Sequence, residues 1–363
     1  MPEPPAIQIP GAGGVDARAK AEHLHTRIRP IDFDQIGSVA DLVGAMRGAS
    51  IQARNLGLCA EVLDNLYADP ERPTILLGLA GPLIAAGLRK VLRDLVAGGF
   101  VDVIVSTGAI LYQDIYQARG FGHFAGDPNA DDAQLRELLI DRIYDTYVDE
   151  EKFMETDTWL GYLADELPPG NYSSRAYMEF VGSKLTDEQS IVRTASQRGI
   201  PMFVPAINDS SIGIGLTHHY HRATRAGRAR LAIDSIRDNY ELTQIVVQSP
   251  QTAAIYIAGG VPKNYINDSV VMAYIFEAEK GHRYALQLTA DVPHWGGLSG
   301  STLKEAMSWG KIQTQATTAM CFVEPSVSLP LLAGYALQRR LADGRPPLHL
   351  EWDQDILRSL RRG

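Results

Sequence analysis

Cysteine is scarce in this chain. The two residues present, Cys59 and Cys321, lie far apart in apolar surroundings, which excludes a disulfide framework, offers no metal-type spacing and points to a reducing, cytoplasmic compartment. Long hydrophobic runs are missing too. The longest, Thr74 to Leu88, is broken by Gly78, Gly81, Pro82 and Gly87 and is too short to span a bilayer. The amino terminus, Met1-Pro-Glu-Pro-Pro, lacks the basic and apolar regions of a secretory signal. Positive charge is in the minority: 34 Lys and Arg against 43 Asp and Glu leave a formal net charge of -9. That balance argues against a nucleic-acid surface and suits cationic ligands such as amines. A GxGxxG fingerprint is absent, and Gly11-Ala-Gly13-Gly14 does not replace it, because no strand feeds it and no helical pattern follows at once.

What is present is core-forming material in alternating blocks. A chain of 363 residues that is 45% hydrophobic buries a large core, enough for one large α/β domain or two smaller ones. Residues 1–29, rich in Pro, Gly and Ala, read as a loose arm. No linker interrupts residues 30–363, which read as a single domain. Apolar runs predict strands at Ile75 to Leu79, Val101 to Val105, Pro201 to Val204, Ala253 to Ala258, Tyr284 to Leu288 and Ala319 to Val323. Amphipathic segments predict helices at Leu83 to Leu95, Ala232 to Gln248, Thr302 to Ser308 and Leu329 to Leu341. Asp131 to Glu166 reads as mostly helical, and Thr186-Asp-Glu-Gln189 as a capping box for a helix ending at Gln197. Strands alternating with helices at this spacing imply βαβ units, hence a doubly wound, mostly parallel Rossmann-like sheet with helices on both faces.

In such sheets ligands bind beyond the carboxyl ends of the strands, where helix N-termini offer free N–H groups to phosphates. Four loops answer that description: Leu79-Ala-Gly81, Ser106-Thr107-Gly108-Ala109, Asn208-Asp209-Ser210-Ser211 and Gly259-Gly260-Val261-Pro262. A different kind of signal lies in Glu305-Ala-Met-Ser-Trp309-Gly-Lys311-Ile312. Here a lysine sits between an aromatic and a β-branched residue, one place after a glycine. Burying an amine against apolar surface disfavours its charged form, which is how enzymes obtain imine-forming lysines. The same string also fits a lysine whose stem lies across Trp309 with its head in solvent. His218-His219-Tyr220-His221 has no carboxylate or cysteine ligand at suitable spacing, so no metal site is expected there.

The run Trp309-Gly-Lys311 preceded by Glu305-Ala resembles the signature of the deoxyhypusine synthase family. The resemblance extends from about Pro30 to about Leu341 and includes Gln52-Ala-Arg54-Asn55, Ala86-Gly87-Leu88-Arg89-Lys90, Val101 to Gly108, Pro205-Ala206-Ile207-Asn208-Asp209, Gly259-Gly260-Val261-Pro262-Lys263 and Leu329-Pro330-Leu331-Leu332. It implies an NAD-dependent transferase on a modified Rossmann sheet, working as a homotetramer with active sites at subunit interfaces. It implies NAD contacts at Gly81, Ser106, Thr107, Gly108, Asp209, Ala290, Asp291 and Glu324, the last standing where the family usually has aspartate. The implied chemistry removes a hydride from the carbon beside a polyamine's secondary nitrogen. Lys311 then takes the aminobutyl group as an imine and passes it to an acceptor amine. Trp309 would wall the site and Glu305 anchor an ammonium, while Arg54 and Asn55 fix their segment against a neighbouring subunit.

The departures from the pattern concern the amine pocket. Ile214, Leu298 and Gln113 stand where spermidine-binding members carry acids, and Asn264 where they carry a histidine. Pro293-His294-Trp295-Gly296-Gly297 replaces an acidic loop, so His294 and Trp295 are candidates for a new wall. An ammonium buried without a partner costs several kcal/mol, so the expected substrate is a polyamine or diamine with a small-amine acceptor, homospermidine formation included. Transfer of aminobutyl from spermidine to a protein lysine is the enzymatic alternative, and a non-catalytic NAD-binding relic the other.

Overall fold

The computed structural model describes residues 14–363. Six strands form one sheet: β1 (Thr74–Leu79), β2 (Val103–Ser106), β3 (Met202–Phe203), β4 (Thr252–Ile257), β5 (His282–Leu288) and β6 (Ile312–Cys321). Their order is β6-β5-β4-β1-β2-β3, and every neighbouring pair is parallel. All six residues of β1 are buried, as a central parallel strand covered on both faces requires. Successive side chains alternate between the two layers. Ile75, Leu77 and Leu79 enter one core with α1 (Ile51–Ala68), α2 (Arg89–Ala97) and α7 (Pro325–Gln338), and Leu76 enters the other with Ile266 and Val270 of α5 (Gly260–Ile275).

This order is that of doubly wound dinucleotide-binding sheets, in which the chain turns back between the two central strands and leaves a crevice at their carboxyl ends. Here the crevice lies beyond Leu79 of β1 and Ile257 of β4. It is flanked by the N-termini of α3 (Gly108–Ala118) and α5; neither has a cap from its own N-cap residue, but Gly260 N of α5 donates to Ser299 Oγ at 2.9 Å.

Several elements differ from the sequence expectation. The helix after β1 starts at Arg89 rather than Leu83, because Gly87 takes φ +82°. The stretch expected to be mostly helical contains a hairpin, Ile140–Ile143 against Thr146–Asp149, between helices Asp132–Glu137 and Glu150–Leu163. Leu139 and Tyr144, at φ 54° and 55°, break the helical path there. Ser190 rather than Thr186 caps the helix Ile191–Gln197. Leu231–Ile233 is a strand paired with Gly170–Tyr172, and Asp234 caps the following helix Ser235–Gln248. The strand expected over Ala319 to Val323 is the last part of β6. A carboxyl-terminal hairpin, Leu348–Asp353 with Ile356–Arg362, had no counterpart in the expectation. Of the expected arm, residues 1–13 lie outside the described residues, along with most of the Gly11 to Gly14 cluster, and Ala17–His23 form an exposed helix. Cys59 and Cys321 are buried and free. Among the described residues, no helix is long and apolar enough to cross a membrane.

Candidate active site

Lys311 immediately precedes β6, and the glycine before it explains its placement. Gly310 takes φ +70° and lies against Tyr274, where a Cβ would come within 3.2 Å of the ring. This turn closes the short helix α6 (Leu303–Ser308) and swings Lys311 towards α5. Its Nζ donates to Asp268 Oδ1 at 3.1 Å and stands 5.3 Å from the centre of the Trp309 ring. The Lys311 side chain keeps 13% of its exposure. The second Asp268 oxygen accepts from Asn264 Nδ2 at 2.8 Å. Asn264 and Asp268, four residues apart, share one face of α5. Lysine, indole, carboxylate and amide therefore form one cluster in a cation-favouring setting.

Around this cluster, Glu305 is exposed on α6, its backbone N–H held by Thr302 Oγ1 at 3.0 Å. Trp309 and Trp295 are 65% and 80% exposed. His294 and Trp295 occupy a short 3-10 turn, Pro293–Trp295, and Leu298 opens a second, Leu298–Gly300. Beneath that second turn lies Lys263, 1% exposed and hydrogen-bonded to Gln287 and to the 298–301 backbone. Burial, with Lys311 adding to it and Glu305 opposing, pushes the Lys263 amine down to about 8.

The other residues expected in the amine pocket stand apart from this cluster. Gln113 is buried in α3 and its Oε1 accepts from Ala85 N at 3.1 Å, fixing the segment after β1. Ile214 is 56% exposed on α4 (Ser211–Arg225), which follows β3, whereas Lys311 leads into β6. Those two strands are the opposite edges of the sheet. The histidine cluster is helical: His219 is buried against Asp165 at 2.6 Å, while His221 is exposed. Arg54 Nε donates to Ala49 O at 2.9 Å. Asn55 holds Gln52, whose amide oxygen accepts from Phe322 N at 2.7 Å, just beyond β6.

The residues aligned with NAD contacts line the carboxyl edge of the sheet. Gly81 follows β1, Ser106 and Thr107 lead into α3, Asp209 precedes α4, Ala290 and Asp291 follow β5, and Glu324 follows β6. Gly81, Asp209, Ala290, Asp291 and Glu324 are exposed, and Ser106 is buried. Gly108 is buried and packs so closely on Ser210 that a Cβ would collide with its side chain. The Glu324 carboxylate caps its own helix through Ser326 N at 2.8 Å, leaving its other oxygen for a ligand. Small residues, the N-terminus of α3, which has no side-chain cap, and acids at the strand exits fit a dinucleotide: N–H groups for the pyrophosphate and carboxylates for ribose hydroxyls.

Asp268 and Lys263 escaped the sequence reading. The only local signal for Asp268 was its spacing of four residues from Asn264, which places the two on one face only once the segment is helical. For Lys263 it was a lysine directly after the Gly259-Gly260-Val261-Pro262 turn.

Comparison with known proteins identifies the family. The sequence profile of the family described as "Deoxyhypusine synthase" matches residues 41–336. A "Deoxyhypusine synthase-like protein" of Chlorobaculum tepidum is 44% identical over 335 residues, covering 90% of this chain and 94% of the relative. A "Probable deoxyhypusine synthase 2" of Methanosarcina mazei is 40% identical over 329 residues, covering 89% and 93%. Among solved structures, a provisionally named deoxyhypusine synthase from Entamoeba histolytica shares the fold with a TM-score of 0.59 at 19% identity, over 86% of this chain and 97% of that one.

Proposed function

The chain belongs to the deoxyhypusine synthase family, and from that premise we propose that it is an NAD-dependent aminoalkyl transferase acting through an imine on Lys311. The observation that carries the reading is the grip on the Lys311 amine, which lies between the Asp268 carboxylate and the Trp309 ring. NAD, held by the strand-exit residues named above, supplies when bound the acceptor and later the donor of one hydride.

The chain's own residues supply the rest. A polyamine brings ammonium ends that compete for Asp268 and Glu305, so binding of substrate draws the carboxylate away from Lys311. Once the carbon beside the substrate's secondary nitrogen has become an imine carbon, Lys311 Nζ passes a proton to the imine nitrogen and adds to the carbon. The bond to the original nitrogen breaks and that nitrogen leaves with a proton as a diamine, so the aminobutyl group is held as an imine on Lys311. Attack by an acceptor amine reverses this exchange and frees the lysine. The Trp309 ring, 65% exposed in the single chain, shields the imine from water once a neighbouring copy covers it.

The acceptor in this reading is a small diamine such as putrescine, giving homospermidine. Ile214 and Leu298 present apolar surface where members binding spermidine place acids, and a cation desolvated there gains no partner. The reading treats residues 30–363 as one working unit and the active assembly as a homotetramer. The separation of Ile214 and Lys311 on opposite sheet edges supports a site completed by a neighbouring copy.

Incubation of the purified protein with NAD and a panel of amines, followed by mass spectrometry, tests this function. The expected product is a NAD-dependent triamine, formed with spermidine as donor and putrescine as acceptor. Efficient transfer to a protein lysine with no free-amine product establishes the competing activity, and no amine conversion at all overturns the proposal.

A further inference from the structure

A lysine in the first turn of a helix sits at the end that disfavours a cation, so Lys263 needs an account beyond helix stability. Its ammonium is almost completely enclosed, yet it is not paired with an acid. Instead Nζ donates to Gln287 Oε1 at 2.8 Å, Ser301 O at 2.6 Å and Ser301 Oγ at 3.0 Å, with Leu298 O at 3.5 Å. Gln287 continues the network from the end of β5. Its Nε2 donates both to Ala258 O and to Ser299 O, each at 2.7 Å. Ser299 Oγ closes the circuit by accepting from Gly260 N at 2.9 Å. The fit is tight enough that a Cβ on Gly259 would lie 2.6 Å from Ser299 Cα.

Two turns with different duties are thus fastened together. Residues 258–260 form the exit of β4, at the crevice assigned to the dinucleotide. Residues 298–301 carry Leu298, assigned to the amine pocket, and lead directly into α6 with Glu305. We propose that Lys263 and Gln287 form a buried strap that makes these two turns move as one unit, so that occupancy of the dinucleotide crevice and of the amine pocket is coupled through Lys263. Lys263 is then a positioning residue: it touches neither ligand and acts through the two turns.

The network has the properties such a strap needs. Every atom that Lys263 grips is a carbonyl, amide or hydroxyl oxygen, so the lysine orders backbone rather than neutralising charge. A buried cation held only by dipoles keeps its place while all of them are present, and loss of either turn leaves it unsatisfied. By linkage, any coupling it transmits is reciprocal: NAD alters amine affinity by the same factor as amine alters NAD affinity.

The assignment of ligands to the two turns rests on the proposed function, whereas the mechanical link does not. Two measurements keep them separate. Amide hydrogen exchange on the ligand-free protein compares wild type with Lys263→Met, and Gln287→Leu serves as second variant should the first fail to fold. The strap predicts that residues 258–260 and 297–301 lose protection together, with the carboxyl-terminal hairpin unchanged. Unchanged exchange, or loosening of one turn alone, overturns it. Calorimetric titration of NAD with and without saturating spermidine then reads the coupling. The expected wild-type ratio is about fivefold or more, collapsing to unity in Lys263→Met while NAD binding alone persists, and partly restored in Lys263→Arg. A ratio undiminished in Lys263→Met overturns the coupling. Failure of wild type to bind either ligand instead removes the proposed function and the coupling with it, leaving the strap to the exchange result.

Discussion

At the scale of the residue, the account turns on which groups a cationic amine meets. Lys311 and Asp268 are 43 residues apart in sequence and meet at 3.1 Å because α5 and the turn after α6 converge. The Trp309-Gly-Lys311 run was legible, since its residues are contiguous and its glycine meets a positive φ. Asp268 was not, because nothing in its own neighbourhood says that a lysine will arrive from another element. Replacing Asp268 by Ala removes the anchor shared by Lys311 and Asn264. A charge-assisted bond of roughly 1.5–3 kcal/mol corresponds to a loss of about 10-fold to 150-fold in kcat/KM for the amine, with Asp268→Glu recovering part of it in steady-state assays. Apolar replacement of anchors makes a complementary prediction. Ile214→Asp with Leu298→Asp shifts preference from diamine towards spermidine by roughly 1–3 kcal/mol, read as the ratio of kcat/KM values. An unchanged ratio removes these two positions from the amine pocket.

At the scale of the element, five of the six strands of the sheet were legible because buried parallel strands are short, continuous apolar runs, whereas β6 showed only at its end because Gln313 to Thr318 is largely polar and not buried. Elements outside the sheet were less so. The stretch Ile140 to Asp149 carries charges compatible with an exposed helix, and only the residues at positive φ, Leu139 and Tyr144, decide for a hairpin. The cap at Ser190 was displaced from Thr186 by a tertiary partner. Ser190 Oγ donates to Asp114 Oδ2 at 2.7 Å and accepts from Arg193 N at 3.0 Å, while Asp114 also holds Arg89 at 2.7 Å. This joins α3 and α2 to the helix Ile191–Gln197. Ser190→Ala deletes the cap and leaves one oxygen of a fully buried carboxylate short of a donor. The expected loss is about 1–2 kcal/mol, measured by urea denaturation with an unchanged slope. A loss below roughly 0.5 kcal/mol, the scale of an ordinary surface substitution, contradicts this role.

At the scale of the whole molecule, the alternation of strands and helices gave the class of fold, but strand order rests on pairings between distant segments that no local pattern encodes. The same holds for the tie between the carboxyl-terminal hairpin and the sheet. Asp102, 4% exposed at the start of β2, accepts from Ile75 N at 2.9 Å, Arg345 Nη1 at 3.0 Å and Arg362 Nη2 at 2.9 Å. Burial alone would raise its pKa, but the two guanidinium groups together hold the carboxyl below its ordinary value. A depressed folded-state pKa means that this contribution is fully present above the unfolded value of about 3.9 and is lost as pH falls through the folded one. Asp102→Asn leaves two enclosed guanidinium groups without their counter-charge and costs roughly 3–5 kcal/mol at neutral pH. The deficit relative to wild type shrinks in acid, which denaturation at pH 7 and below pH 3 would show.

The central claim is that Lys311 carries the transferred group. Borohydride reduction during turnover with NAD and the amine substrate, followed by peptide mass spectrometry, addresses it directly. The account predicts a stable aminobutyl adduct on Lys311 that requires both NAD and amine, and no transfer by Lys311→Arg, whose guanidinium stays protonated. An unmodified Lys311 under turnover, together with full activity of the arginine variant, would contradict it.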